Sequence, residues 1–476
     1  MDSAYQLLEV AAKTWPDRPA LVDDYGTMTY HELFEQTETL KDRLLQTGLS
    51  KGLGLAVMGR NGRAFVAGML AGMGCGAVVV PLSHQLKLAE ISQILLDTDV
   101  HAVLDDQSGV VPTQGDSGFI PFSEQTLRFT WISAAPRQAL TPLPDAAFIR
   151  YTSGTTGNSK GVVLTHRSIL ARVENASTAL QLDCHDAVLW ILPMAFHFLV
   201  SILVYIRVGA KIIVCKDILA ATLIKDANQE GATLLYAAPM HFRLLAADTS
   251  GVQMPALKVA ISTSSAIPPA IAEAFTRRFN VPVAQAYGNI EAGLPLLDSL
   301  TGQADPHSVG FPATGFKVAL LDDDGLPVPE GHIGKLAING PGLFDAYLKP
   351  WQTADQVLQH GWFLTGDIAQ CRDDGRIIIC GREKAMINVS GNKAFPEEIE
   401  AVLNAHPDIA ACRVFGQTHP LLGEVVCAEV VMAQEAAWDV EALLQFCRQR
   451  LSSYKVPQRL QRVTQISHTA SGKVKR

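Results

Sequence analysis

Short apolar runs alternate with helical periods through most of this chain, and that alternation restricts it to few architectures. Leu53 to Met58 and Ala77 to Pro81 read as strands, with an alanine- and glycine-rich helix, Ala64 to Gly74, between them. Ala102 to Leu104, Ala187 to Leu192, Lys211 to Val214, Leu234 to Tyr236 and Val259 to Ser262 continue the series. A strand with two apolar faces needs cover on both sides, and strand–helix alternation supplies it in parallel, doubly wound sheets. The expected fold class is therefore α/β. A chain of 476 residues exceeds what one core supports, so two or more domains are expected.

The pattern changes near residue 308. Short strands and Gly-rich turns follow, at Lys317 to Asp322, Gly334 to Asn339 and Gly375 to Cys380, which predicts a small β-rich subdomain over about 308–381. After Gly381-Arg382 the order is strand Ala385 to Val389, helix Pro396 to Ala405, strands Ala410 to Gly416 and Val425 to Val431, and helix Val440 to Leu451. These elements predict a large N-terminal domain, 1–381, followed by a small α+β C-terminal domain, 382–476.

The net charge of −8 argues against nucleic acid as a partner. Eight Lys/Arg and no Asp or Glu lie between Arg448 and Arg476; this is either a solvated basic tail or a face that meets phosphates or an acidic protein. The eight cysteines are scattered without a Cys-x-x-Cys pair, which fits reduced thiols in the cytoplasm better than disulfides or zinc. No signal peptide is evident at the N-terminus. The longest apolar run, Phe196 to Ile206, is too short to span a bilayer. The oligomeric state is left open.

One loop carries chemistry. Tyr151-Thr152-Ser153-Gly154-Thr155-Thr156-Gly157-Asn158-Ser159-Lys160-Gly161 combines glycines, hydroxyls and a lysine between two apolar strands. Such a loop can wrap a polyphosphate: glycines admit close backbone N–H groups, hydroxyls donate, and lysine supplies a point charge. The Walker pattern is excluded, because Lys160 is followed by Gly161 and a strand rather than by Ser/Thr and a helix. The loop resembles that of the adenylate-forming superfamily, which includes acyl- and aryl-CoA ligases, peptide-synthetase adenylation domains and firefly luciferase. Further matches follow in order: Met28 to Leu33, Gly72 to Leu82, Tyr287-Gly288-Asn289-Ile290-Glu291, Trp362 to Asp367, Gly381 to Lys384, and Thr469 to Arg476.

The resemblance implies a role for each piece. Thr152, Ser153, Gly154, Thr155, Thr156, Gly157, Lys160, Ser264, Tyr287, Gly288, Asn289, Asp367, Arg382 and Lys473 would bind ATP. The Tyr287 ring is suited to stacking on adenine and the Asp367 carboxylate to two ribose hydroxyls. Arg382 could reach the ribose or the phosphates. Thr152 and Glu291 offer hard oxygens for Mg²⁺. Lys473 would bridge the acyl carboxylate and the α-phosphate as charge develops. Lys384 would be the hinge of a mobile C-terminal lid. Ile290 stands where threonine is usual, removing one phosphate-facing hydroxyl.

Phe196, His197, Thr263, Ser264, Ser265 and Gly288 would line the acyl pocket, with His197 at its gate or on a substrate oxygen. Thr263, Ser264 and Ser265 should make the pocket smaller or more polar. No acidic side chain accompanies Ala195, Phe196 and His197, and a buried ammonium without a partner is costly, so the expected acid lacks an α-amino group. A compact aryl, alicyclic or short acid fits. The acceptor would be CoA, with a carrier-protein thiol or an amine as alternatives using the same first half-reaction. A catalytically silent nucleotide-binding protein is the reading from another class, opposed by the intact set Lys160, Glu291, Asp367, Arg382 and Lys473.

Overall fold

The computed structural model describes residues 1–112, 115, 117–132, 138–152, 160–300, 304–389, 392–419, 423–433 and 436–466. Two nine-stranded sheets dominate it. The first runs in spatial order Phe311–Pro312, Gly293–Leu297, Val283–Asn289, Val259–Ser262, Leu234–Ala237, Ala187–Trp190, Lys211–Val214, Pro19–Asp23 and Gly26–Thr29. Its six strands from Val283–Asn289 to Pro19–Asp23 are parallel, as the alternation predicts, and antiparallel strands close both edges. The second sheet has the parallel set Ala146–Thr152, Val78–Ser83, Gly54–Gly59 and Ala102–Asp105 at its centre. Lys160–Thr165, Ala346–Tyr347 and Gln352–Thr353 extend one side, and the hairpin Gln125–Trp131 with Ser117–Phe122 the other.

Side-chain alternation along the strands decides the layers. On Ala187–Trp190, Val188 and Trp190 join the central core while Leu189 joins an outer one. The central core fills the space between the two sheets together with helices Tyr30–Gln46, Arg63–Gly74 and His166–Leu180. Helices Ala220–Glu230, Pro239–Ala246 and Pro269–Phe279 cover the outside of the first sheet, and Leu88–Thr98 the outside of the second. Helix Arg63–Gly74 is buried nearly all round, because it packs against strands and other helices at once.

The run Phe196 to Ile206 folds as helix Met194–His197, a π-helical turn Phe198–Ile202 and helix Leu203–Val208. Among the described residues no helix is long and apolar enough to cross a membrane. The expected β-rich segment forms a four-stranded antiparallel sheet of Lys317–Leu321, Ile333–Asn339, Phe363–Cys371 and Ile377–Arg382. A 3-10 turn, Glu383–Ala385, follows directly, so the strand expected from Ala385 begins only at Ile387; Glu383 in that turn pairs with Lys335 at 2.9 Å. The remaining residues build a five-stranded sheet with helices Pro396–Asn404 and Val440–Arg448 around their own core, from Ile387 to Cys447.

Candidate active site

The antiparallel pairing of Phe363–Cys371 with Ile377–Arg382 sets Asp367 opposite Arg382, so two motifs fifteen residues apart in sequence become neighbours. Arg382 Nε lies 2.8 Å from Asp367 Oδ1, and the Tyr287 hydroxyl donates to Asp367 Oδ2. The Asp367 backbone N–H donates to Thr365 Oγ1 at 3.0 Å. Asp367 is buried and Arg382 is half-exposed, so a buried carboxylate anchors a guanidinium that reaches solvent. Burial pushes the Tyr287 phenol well above its ordinary pKa, and the Asp367 charge adds to this; the phenol stays protonated and donates.

Strand Val283–Asn289 ends in the turn that carries Glu291. Gly288 is obligatory there: a Cβ on it would stand 2.1 Å from the Gly293 carbonyl oxygen. Asn289 Oδ1 accepts from the Ala292 N–H at 2.8 Å and closes the turn. The missing threonine hydroxyl at position 290 has a structural counterpart: the Ile290 side chain is buried in the central core. Arg172, fully buried on helix His166–Leu180, holds the turn from behind. It donates to the Ile290 carbonyl at 2.9 Å, to Gly342 at 2.5 Å and, at 3.4 Å, to Glu291. Burial lowers its pKa to about 10, so it remains charged near neutrality.

Glu291 gathers the second cluster. Its Oε1 accepts from the Tyr347 hydroxyl at 3.2 Å, and the Lys160 ammonium sits over the Tyr347 ring, 4.1 Å from its centroid. Tyr347 is brought there by pairing with Val162, two residues past Lys160. Arg150 is the third member. Burial lowers its pKa to about 10, and the Glu291 charge opposes that shift. Its Nη1 donates to the Phe196 carbonyl at 2.5 Å, and its guanidinium lies over the Phe196 ring, 5.3 Å from the centroid. His197, next in the chain, meets Trp190 edge-on at 5.8 Å. Thr263 is buried at the end of strand Val259–Ser262, Ser264 follows with φ +73°, and Ser265 is exposed.

The structure therefore brings together Tyr287, Asp367 and Arg382, and separately Lys160, Glu291, Phe196 and His197. Ser153, Gly154, Thr155, Thr156, Gly157 and Lys473 lie outside the described residues, as does the Thr152 side chain. Lys384 is exposed in the 3-10 turn after Arg382. Sequence reasoning missed Arg150, Arg172 and Tyr347. Arg150 had a signal: a cation inside the apolar strand Ala146 to Tyr151 needs a reason. Arg172 and Tyr347 had none, since their partners are distant in sequence.

The profile of the AMP-binding enzyme family matches residues 8–348, and that of the AMP-binding enzyme C-terminal domain matches 398–473. The chain belongs to the AMP-binding enzyme family. It is an ATP-dependent, AMP-forming ligase of the acyl-CoA synthetase type. It is 30% identical to the sulfoacetate–CoA ligase of Cupriavidus necator over 100% of this chain and 97% of that protein. It is 28% identical to the feruloyl-CoA synthase of an Amycolatopsis species, covering 97% of this chain and 96% of the relative. The crystal structure of the anthranilate CoA ligase AuaEII with anthranoyl-AMP superposes with TM-score 0.85 and 22% identity, over 99% of this chain and 95% of that one. That likeness shows that the two share a fold.

Proposed function

We propose that this enzyme activates a compact carboxylic acid without an α-amino group to its acyl-adenylate and transfers the acyl group to CoA. The observation that carries the choice of acid is Arg150. Its guanidinium, on a half-buried side chain, is tied to the carbonyl of Phe196, the segment assigned to the acyl pocket. The 194–198 segment carries no acidic side chain, so a substrate ammonium there would meet the Arg150 cation, whose charge faces Glu291, with no carboxylate of that segment to pair it.

In this reading a carboxylate oxygen of the acid attacks the α-phosphorus of ATP, and the bond to pyrophosphate breaks. Lys160 and the 153–157 loop hold the phosphates. Tyr287, Asp367 and Arg382 hold adenine and ribose: Arg382 and Tyr287 orient the Asp367 carboxylate for the hydroxyls. Thr152 and Glu291 would hold Mg²⁺, and Glu291 suits the task as a carboxylate oriented by Tyr347. The ion would offset charge on the phosphate oxygens. Lys473 supplies its ammonium to the reacting oxygens. The C-terminal domain, 382–476, then turns about Lys384, and a thiolate attacks the acyl carbonyl with AMP as leaving group. CoA is favoured as acceptor by the named activities of the relatives; a carrier-protein thiol or an amine would use the same adenylate. Eight free thiols support a cytoplasmic location.

The test is a pyrophosphate-release screen over acids with ATP and Mg²⁺, repeated with CoA and with amines, followed by product mass. The expected products are AMP, pyrophosphate and an acyl-CoA, with compact acids outcompeting hexadecanoate. ADP and orthophosphate would refute the adenylation reading, and faster turnover of hexadecanoate would refute the short pocket.

A further inference from the structure

Arg150 has more hydrogen-bonding capacity than the folded chain uses. Its Nη1 donates to the Phe196 carbonyl at 2.5 Å, and the guanidinium makes no other hydrogen bond among the described residues. Nε is buried and has no partner. A guanidinium carries five N–H donors in a flat fork and is charged at neutral pH, so most of this one is unspent. Among the described residues no carboxylate forms an ion pair with it. Glu291 acts on it through its charge alone, and Glu291 Oε1 accepts from the Tyr347 hydroxyl. A cation drawn into an apolar strand without an ion-pair partner is costly, and it asks for an anion that the chain does not supply.

The place is open to solvent. Arg150, Phe196, His197 and Glu291 all keep part of their surface exposed, whereas the adjoining Ile149, Ala195 and Phe198 are buried. An opening therefore reaches inward along these four residues. Strand alternation sends the next side chain, Tyr151, to the other face of the sheet, where its hydroxyl donates to Asp97 on helix Leu88–Thr98. Arg150 is thus turned toward the site, with the Phe196 carbonyl on one side and the Glu291 charge on the other. Phe196 belongs to the segment assigned to the acyl pocket, and Glu291 to the cluster assigned to the phosphates. A carboxylate that is to attack phosphorus has to lie where those two meet.

We propose that the Arg150 guanidinium binds the reacting carboxylate of the acid and holds it for attack on the α-phosphorus of ATP. The acid arrives as an anion beside a chain of phosphates, and the guanidinium offsets that repulsion while its fork fixes the orientation of the two oxygens. A lone pair on one carboxylate oxygen then forms the bond to phosphorus, and the bond from phosphorus to the pyrophosphate oxygen breaks with its electron pair; no proton moves. The acyl-adenylate no longer carries a free carboxylate, so the contact weakens as product forms, and Arg150 keeps its tie to Phe196. The guanidinium serves the end of the acid that faces Glu291, which every carboxylic acid has, and not a second acidic group at the far end.

This inference rests on the adenylation reading, and the assay separates the two. Pyrophosphate release is measured against acid and, separately, against ATP, with benzoate, pentanoate, malonate, terephthalate and the fastest acid of the wider screen. Arg150→Leu should raise KM for every acid that is turned over by about 10- to 100-fold and leave KM for ATP unchanged. Arg150→Lys keeps the charge without the fork and should recover part of the loss; it also carries the test if the leucine variant does not fold. Inhibition by the primary amide of the fastest acid, which fills the same pocket without a charge, should weaken far less than binding of the acid itself. Equal weakening of acid and amide would mean that the tie to Phe196 only shapes the pocket, and would overturn the proposal. So would a loss confined to malonate and terephthalate, an equal rise in KM for ATP, or an unchanged KM for the acids in both variants, each leaving adenylation standing. No pyrophosphate from the unsubstituted enzyme with any acid would instead sink the adenylation reading.

Discussion

Replacing Gly288 by alanine perturbs the site without touching a charged group. The added Cβ would lie 2.1 Å from the Gly293 carbonyl oxygen, where real Cβ atoms essentially never approach closer than 3.0 Å, so the two must part by about 0.9 Å. Backbone stands on both sides of this contact, and no side-chain rotamer relieves it. The displacement must pass into the antiparallel pair Val283–Asn289 and Gly293–Leu297, hence into Tyr287 on one side and Glu291 on the other. Overpacking of this kind costs about 1–3 kcal/mol of stability. A displacement near 1 Å at the reacting groups can cost about 10²-fold in rate. The expected result is a folded variant with a lower melting temperature and an ATP–pyrophosphate exchange rate reduced by about two orders of magnitude. The assay pairs that exchange rate with a thermal melt on the same preparation. Exchange at the unsubstituted rate would show that the turn gives way without moving Tyr287 or Glu291, and the geometric reasoning would be wrong.

Three further outcomes are expected. Lys473→Ala should lose about 2.7–4 kcal/mol of transition-state stabilisation, or roughly 10²–10³ in adenylation rate, while largely sparing transfer from synthetic acyl-AMP to CoA. Lys384→Pro should do the reverse, because proline fixes φ at the proposed hinge; equal loss of both steps in both variants would rule out lid alternation. The third outcome concerns pH: burial depresses the His241 pKa, so below the ordinary imidazole value the unfolded chain takes up the proton first. Stability should fall as pH drops through about 6.5, and His241→Gln should reduce that slope; a slope unchanged by the substitution would assign the acid sensitivity elsewhere.

Local pattern determined the elements and the family. Parallel strands such as Lys211–Val214 and Val259–Ser262 are apolar on both faces, so they stand out as runs and fall where expected. The ordered motifs work the same way, because a glycine needed for close backbone approach or a lysine needed for phosphate is written at one position. The edges were less legible. The hairpin Ser117–Phe122 with Gln125–Trp131 buries only Ile120 and Phe122 of its first strand, so no apolar run marks it, and it joins the sheet through Ala102–Asp105.

Only the tertiary structure decided which motifs touch. Asp367 meets Arg382 through strand register, and Tyr287 reaches them from another sheet. Arg150 stands inside an apolar strand; folding ties it to the Phe196 carbonyl and brings it within range of the Glu291 charge. The physical reason is range. Helix and strand periods act within a few residues, but hydrogen-bond satisfaction and charge pairing in a buried site depend on residues brought together from across the chain.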